Sequence, residues 1–177
     1  MNDTVKLAVR LMIFALVAAL LLACVNELTK DRIDENTRSK INAARMSVIG
    51  EYEFTDAECD LTGCDYIKAV NRAVDGGRVI GYVFDLESKG YGGIIYISLG
   101  MSSDGRITGV KVSSHSETKG LGTEAADEFF GEFLNIGAGD DAMEIDAMSG
   151  ATVSSTAIRK AVNEALEFYS ANLSGDE

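Results

Sequence analysis

The sequence predicts an α+β protein: a single N-terminal transmembrane helix and stalk, then an antiparallel sheet packed by helices. Three observations carry this. Leu11 to Val25 contains no charged or strongly polar residue. Between residues 64 and 112, short strand-like runs are separated by Gly-containing turns. Near the C-terminus, Ala157, Ile158, Ala161, Val162, Ala165, Leu166 and Tyr169 recur at helical spacing. The 177 residues divide into an anchor (1–27), a stalk helix (28–50) and one folded domain (51–177). A domain of that size can bury a core without staples.

The anchor comes first. Adding Val5 to Arg10, with Lys6 and Arg10 snorkelling to the interface, gives about 21 residues, enough to span a bilayer. Two other readings stay open. The fully apolar run is short enough for a cleaved signal peptide. Leu21-Leu22-Ala23-Cys24 also resembles a bacterial lipobox, with lipidation at Cys24. The stalk follows, mostly polar from Leu28 to about Val48, with Ile33, Ile41 and Ala44 at helical spacing.

The domain opens with two strands, 64–72 and 78–86, around the hairpin signal Asp75-Gly76-Gly77. A second pair, Ile94–Leu99 and Arg106–Val112, surrounds Ser102-Ser103-Asp104-Gly105. Gly109 interrupts the alternation and marks a bulge. A helix is expected from about Glu124 to Asn135, with Phe129, Phe130, Phe133 and Leu134 as its core-facing side. The last helix covers 154–171, with Ser154 and Ser155 as N-cap candidates.

Composition excludes some functions. With 28 acidic and 16 basic residues the net charge is −12, which argues against nucleic acid as a partner. From Glu117 to Asp146 nine acidic residues face one basic residue, Lys119. That stretch reads either as a solvated surface or as a docking face for a basic electron-transfer partner. Ser154 and Ser155 have no histidine nearby in sequence and no G-x-S-x-G elbow exists, so a hydrolase is not indicated and no catalytic residue is assigned. Two cysteines and one distant histidine lack the spacing of a zinc or iron–sulfur centre. Cys59 and Cys64 bracket a short loop and read equally as a disulfide or as two thiols.

Asp146-Ala147-Met148-Ser149-Gly150-Ala151-Thr152 is the most informative stretch. It runs into a helix, placing Thr152 where free N–H groups and the helix dipole favour an anion. Gly150 and Ala151 leave room for a phosphate to approach the backbone. Two further motifs precede it: Gly90-Tyr91-Gly92-Gly93, and His115-Ser116-Glu117-Thr118-Lys119-Gly120-Leu121-Gly122.

In this order the three motifs, covering roughly residues 79–169, resemble the FMN-binding domain family. Its loop reads close to H-x-E-T-P-G-L-G, so Lys119 replaces the usual Pro. With the N-terminal segment and its Thr29-Lys30 pair, the chain is similar to the G-subunit family of Rnf ion-translocating electron-transport complexes. The C subunit of the sodium-pumping NADH:quinone oxidoreductase is a longer relative.

The resemblance implies FMN esterified through its phosphate to Thr152 by a flavin transferase, which would need Asp146. It implies that Ser149, Gly150 and Ala151 shape the phosphate turn. It also implies that Glu117, Thr118, Lys119, Gly120, Leu121 and Gly122 lie against the ring. Lys119 at the pyrimidine edge would raise the flavin's potential. His115 reads as a proton donor or as a plain loop histidine.

The implied function is an electron carrier between ferredoxin and NAD⁺, coupled to Na⁺ or H⁺ translocation. Multi-spanning and iron–sulfur subunits would be the partners. The alternative is a membrane-anchored FMN-binding sensor or adaptor. The resemblance puts the C-terminal domain outside the cytoplasmic membrane. The charge count runs the other way: Lys6 and Arg10 precede the span, while Lys30, Arg32, Arg38, Lys40 and Arg45 follow it.

Overall fold

The computed structural model describes residues 3–118, 122, 125 and 129–175. The elements are α1 (Asp3–Ile49), β1 (Glu53–Asp56), β2 (Ile67–Asp75), β3 (Arg78–Lys89), β4 (Ile94–Ser102), β5 (Ile107–His115) and α2 (Thr152–Asn172). Short 3₁₀ turns occupy Gly131–Asn135 and Ala142–Glu144. By its contacts the chain forms two units, Met1–Lys40 and Ile41–Glu177.

The first unit is helix alone, long and apolar enough to cross a membrane, with a mean hydropathy of 2.7 in its apolar window. Leu11, Phe14, Leu20 and Leu22 are all exposed, so no protein atoms cover the apolar run. A helix apolar on every side in this way is suited to a lipid environment. Its 21 apolar-rich residues, Val5 to Val25, span about 32 Å, close to the hydrocarbon thickness of a bilayer. The stalk expected over 28–50 is not a separate helix: α1 is continuous, and its last residues, Ile41–Ile49, belong to the second unit.

The second unit is built on an antiparallel meander in the order β1-β2-β3-β4-β5. The Asp75-Gly76-Gly77 hairpin forms as expected, with Gly76 and Gly77 both at positive φ. The first strand of that pair runs over 67–75 rather than 64–72, because residues 65–67 are held by a helix carboxylate described below. β1 was not anticipated; four residues with one half-buried side chain carry no periodic signal. The bulge predicted at Gly109 is present: pairing passes from Gly100↔Gly109 to Met101↔Ile107, leaving Thr108 extra.

Two faces of the sheet are covered differently. Tyr82, Phe84 and Leu86 of β3 pair with Met101, Leu99 and Ile97 of β4 on one face. There they meet Ile158, Val162, Leu166 and Tyr169 of α2 in one buried cluster. Tyr82 stacks edge-on with Tyr169 at 5.8 Å, and Phe84 with Phe168 at 6.2 Å.

The other face receives the end of α1. Ala44 and Val48 are buried. Arg45 pairs with Asp85, which also accepts from Ser98 Oγ and Asn71 Nδ2. Thr108 Oγ1 donates to the Val48 carbonyl at 2.7 Å. A Cβ at Gly100 or Gly109 would lie 2.6 Å and 2.8 Å from Val48 backbone atoms, so two glycines open the seat for this residue.

The helix expected over Glu124–Asn135 lies partly outside the described residues. Its described end, Gly131–Asn135, is a 3₁₀ turn. Phe129 and Phe133 are core, packed edge-on at 5.4 Å, and Phe130 is partly buried against them. Leu134 is exposed, a correction to its expected place on the core side, because a 3₁₀ turn does not align positions 130 and 134. Cys59 and Cys64 are thiols, both packed partly against the core. Burial, then the carboxylate of Glu164, pushes the Cys64 thiol above its ordinary value.

Candidate functional site at the start of the C-terminal helix

The D-x-x-S-G-A-T stretch forms a tight entry into α2. Gly150 takes φ +83, where a side chain is strained. The Ala151 amide donates to the Met148 carbonyl at 3.1 Å, closing the turn. Thr152 is the first helical residue and is exposed, its hydroxyl within 3.5 Å of the Met148 carbonyl.

The N-cap is Ala151, and among the described residues no side chain caps the first turn, which also holds no acidic residue. This corrects the expectation that Ser154 or Ser155 caps the helix. Both are fully buried inside its first turns and bond elsewhere. The result is an uncapped positive helix end with an exposed hydroxyl on it, an arrangement that suits a phosphate ester.

Ser155 holds the turn from within. Its Oγ accepts from the Met148 amide at 3.1 Å and donates to the Ala151 carbonyl at 3.0 Å. Arg159, one turn further on, donates to the carbonyls of Met143 and Ile145 and to Thr156 Oγ1. Asn163 accepts from the Ala142 amide at 3.0 Å. The loop carrying Asp146 is therefore fastened to α2 by three polar side chains. Asp146 itself is exposed, as is Ser149.

Ser154 does a different task. Its Oγ donates to Glu117 Oε2 at 2.9 Å and accepts from the Tyr91 amide at 3.2 Å. The same carboxylate oxygen accepts from the Gly92 amide at 3.2 Å. A Cβ on Gly90 or on Gly122 would strike the Glu117 carboxylate, and one on Gly92 would lie 2.6 Å from the Thr118 amide nitrogen. Glycines of two motifs are thus small because Glu117 and Thr118 pack against them. His115 ends β5, its Nδ1 accepting from the Glu117 amide at 3.2 Å.

All three motifs meet at the first turn of α2. The structure places Glu117 between the two loops as their fastener. Thr118 is exposed beside Gly92. Lys119, Gly120 and Leu121 lie outside the described residues.

Sequence reasoning missed four contributors. Glu164 accepts from the amides of Asp65, Tyr66 and Ile67 at 2.9, 2.8 and 3.0 Å and so sets where β2 begins. Arg159 is the second. Lys89 and Lys160 are the third and fourth; with Tyr66 they line a groove of about 420 Å³ that includes Thr152. Their only sequence signal was position: Lys160 stands eight residues after Thr152, on the same helical face.

The FMN-binding domain family matches residues 90–167. The RnfG N-terminal region matches residues 1–48. The G subunit of the ion-translocating oxidoreductase complex of Methanosarcina acetivorans is 31% identical, over 96% of this chain and 96% of that one. The G subunit of the Na⁺-translocating ferredoxin:NAD⁺ oxidoreductase complex of Acetobacterium woodii is 28% identical, over 93% and 90%. The G subunit of the proton-translocating ferredoxin:NAD⁺ oxidoreductase complex of Clostridium ljungdahlii is 39% identical, over 54% and 56%. With an apolar N-terminal helix, an FMN-binding domain and likeness to the Methanosarcina acetivorans subunit over nearly all of both chains, the chain belongs to the family of G subunits of ion-translocating oxidoreductase (Rnf) complexes.

Proposed function

We propose that this protein is the flavin-bearing electron carrier of a membrane-bound Rnf complex, with FMN attached through its phosphate to Thr152. The observation that carries the reading is the start of α2: an exposed threonine hydroxyl on a helix end that, among the described residues, no side chain caps. Backbone N–H groups of the first turn are available to a phosphodiester there. Ser149, Gly150 and Ala151 form the turn around it. Asp146, exposed and fastened in place through its loop, is accessible to a modifying flavin transferase.

When bound, FMN supplies the capacity to exchange electrons with one-electron and two-electron partners. The chain's own residues position it. Glu117 clamps the 115–118 segment to Gly92 and Ser154, so Glu117, Thr118 and Gly122, of the loop assigned to the ring, lie close to the start of α2. Neither a nucleophile–base pair nor a substrate site is assigned to this polypeptide. Activity belongs to the assembled ferredoxin:NAD⁺ oxidoreductase, with Na⁺ or H⁺ as the translocated ion. Multi-spanning and iron–sulfur subunits are its proposed partners. The apolar part of α1 anchors it, with the C-terminal domain on the outer face of the cytoplasmic membrane. Full-length likeness to G subunits of such complexes favours this over a stand-alone sensor.

In-gel flavin fluorescence after denaturing electrophoresis tests the reading, on protein co-expressed with a flavin transferase beside Thr152→Val. A fluorescent band absent from the variant is expected. A dark wild-type band contradicts covalent attachment, and fluorescence in both moves it to another hydroxyl.

A further inference from the structure

Two hollows border the turn that carries Thr152, and they are opposite in charge. One, of about 820 Å³, is lined by Glu132, Asp140, Asp141, Glu144 and Asp146 and, among the described residues, by no basic one. The other, of about 420 Å³, includes Thr152 itself, with Lys89 and Lys160 and, among the described residues, no carboxylate. Among the described residues neither lysine belongs to an ion pair. A chain of net charge −12 thus gathers positive charge beside the hydroxyl that its sequence motif singles out.

The basic groove is held in shape by α2. Buried Ser88 donates its hydroxyl to the Ala157 carbonyl at 2.7 Å, which fixes the end of β3, and so Lys89, against the helix. Glu164 holds the Tyr66 amide at 2.8 Å. Thr152, Thr156 and Lys160 follow one another at i, i+4 and i+8, on one helical face. Thr152 and Lys160 are about 12 Å apart along the axis. Long helical side chains lean back toward the N-terminus, which carries the Lys160 ammonium toward Thr152. None of Glu117, Thr118 and Gly122 lines this groove, so it is separate from the seat assigned to the flavin ring.

An ester between a hydroxyl and a free phosphate does not form of its own accord in water; the phosphate must arrive in an anhydride. The donor of FMN is therefore a flavin dinucleotide, whose linked phosphates are both charged. We propose that the basic groove receives those linked phosphates while FMN is attached, with Lys89 and Lys160 in contact with them. The inference rests on attachment at Thr152 and names further residues of this chain that take part in it. Thr152 Oγ1 forms a bond to the flavin-side phosphorus, and the hydroxyl proton passes to a base of the transferase. The anhydride P–O bond breaks, and a nucleoside monophosphate leaves with the bridging oxygen and one added negative charge. Nothing is oxidised or reduced. Two ammonium groups stabilise the charge that develops on the leaving phosphate. The acidic hollow repels the same charge, so the donor approaches from the lysine side. When the monophosphate departs the groove is empty again, and the ring rests on the loop after β5.

The test uses full-length protein made without a flavin transferase and purified in detergent, then labelled with purified transferase and flavin adenine dinucleotide. In-gel fluorescence gives the initial rate over a range of acceptor concentrations. Wild type is compared with Lys89→Gln, Lys160→Gln, the double glutamine variant, the double arginine variant, and Lys111→Gln on β5, outside the groove. The double glutamine variant is expected to lose roughly tenfold in kcat, less than a buried oxyanion donor costs, because both lysines are exposed. It should reach the wild-type endpoint with an unchanged melting temperature. The arginine variant keeps both charges and should stay within about twofold of wild type. A wild-type kcat in the double glutamine variant, a loss confined to the acceptor KM, a slow arginine variant or an equal loss in Lys111→Gln overturns the groove assignment. In each of those cases wild type still labels and Thr152→Val stays dark, so attachment stands. A dark wild-type band overturns attachment, and the groove assignment with it.

Discussion

Ser154 Oγ donates to Glu117 Oε2 across 2.9 Å, and that bond ties the first turn of the C-terminal helix to the loop after β5. The two residues are 37 positions apart in sequence. The contact makes one site of three separate motifs. Among the described residues Glu117 Oε1 is buried without a partner, so within them the carboxylate depends on its other oxygen.

Ser154→Ala should therefore lower stability by about 2 kcal/mol, in the range for a hydrogen bond to a charged group. Urea unfolding measures it. Ser154→Thr, which keeps the hydroxyl, should recover part of the loss. A neutral Ser154→Ala would show that the loops are held by other contacts.

The domain should need the end of the membrane helix. Ala44 and Val48 are buried on the sheet, and Arg45 partners a largely buried Asp85. A fragment of residues 41–177 should fold cooperatively. One of residues 51–177 should be less stable by roughly 3 kcal/mol or more, from lost apolar burial and an unpaired carboxylate. Equal stability of the two fragments would place the domain boundary at residue 51.

Glu164 should act as a structural clasp. Its carboxylate satisfies three successive amides at the start of β2. Glu164→Ala should cost about 2–3 kcal/mol, because three successive donors, two of them part-buried, lose a charged acceptor. Glu164→Gln, which keeps one acceptor oxygen, should cost less. Hydrogen exchange at residues 65–67 should accelerate in both.

Cys64 should hold its proton to a higher pH in the folded protein than in the unfolded chain. Burial raises its pKa first, and Glu164 adds to this. Above the ordinary thiol value of 9.0 the unfolded chain releases this proton while the native state keeps it. The stabilisation is thus full below that pH and is lost as pH rises through the folded value. Alkylation of Cys64 with pH, in a Cys24→Ser, Cys59→Ser background, should show a higher midpoint in buffer than in urea. Coincident midpoints would contradict the assignment.

Much of this was legible in sequence. The apolar run, the Asp75-Gly76-Gly77 hairpin, the bulge at Gly109 and the period of α2 are local signals, and local signals fix element type. Boundaries set by distant partners were not legible. β2 starts late because Glu164, nearly a hundred residues away, claims the preceding amides. Residues 41–49 belong with the domain because Gly100 and Gly109 leave space for Val48. The serines after Thr152 read as caps, since serine favours that role, but tertiary hydrogen bonds to Glu117 and Met148 drew them inward. Glu117 was legible as a motif residue, yet only the fold shows it pinning two loops. Lys89 and Lys160 converge across a strand end and a helix face, a proximity that no linear spacing encodes.

The central claim concerns one oxygen atom, Thr152 Oγ1. Protein co-expressed with a flavin transferase can be digested with trypsin and its flavin-bearing peptide fragmented in the mass spectrometer. The account predicts FMN, less one water, on the peptide ending at Arg159, with fragment ions placing it on Thr152. Flavin mass on Ser149, Ser154, Ser155 or Thr156, or on a different peptide, would contradict it.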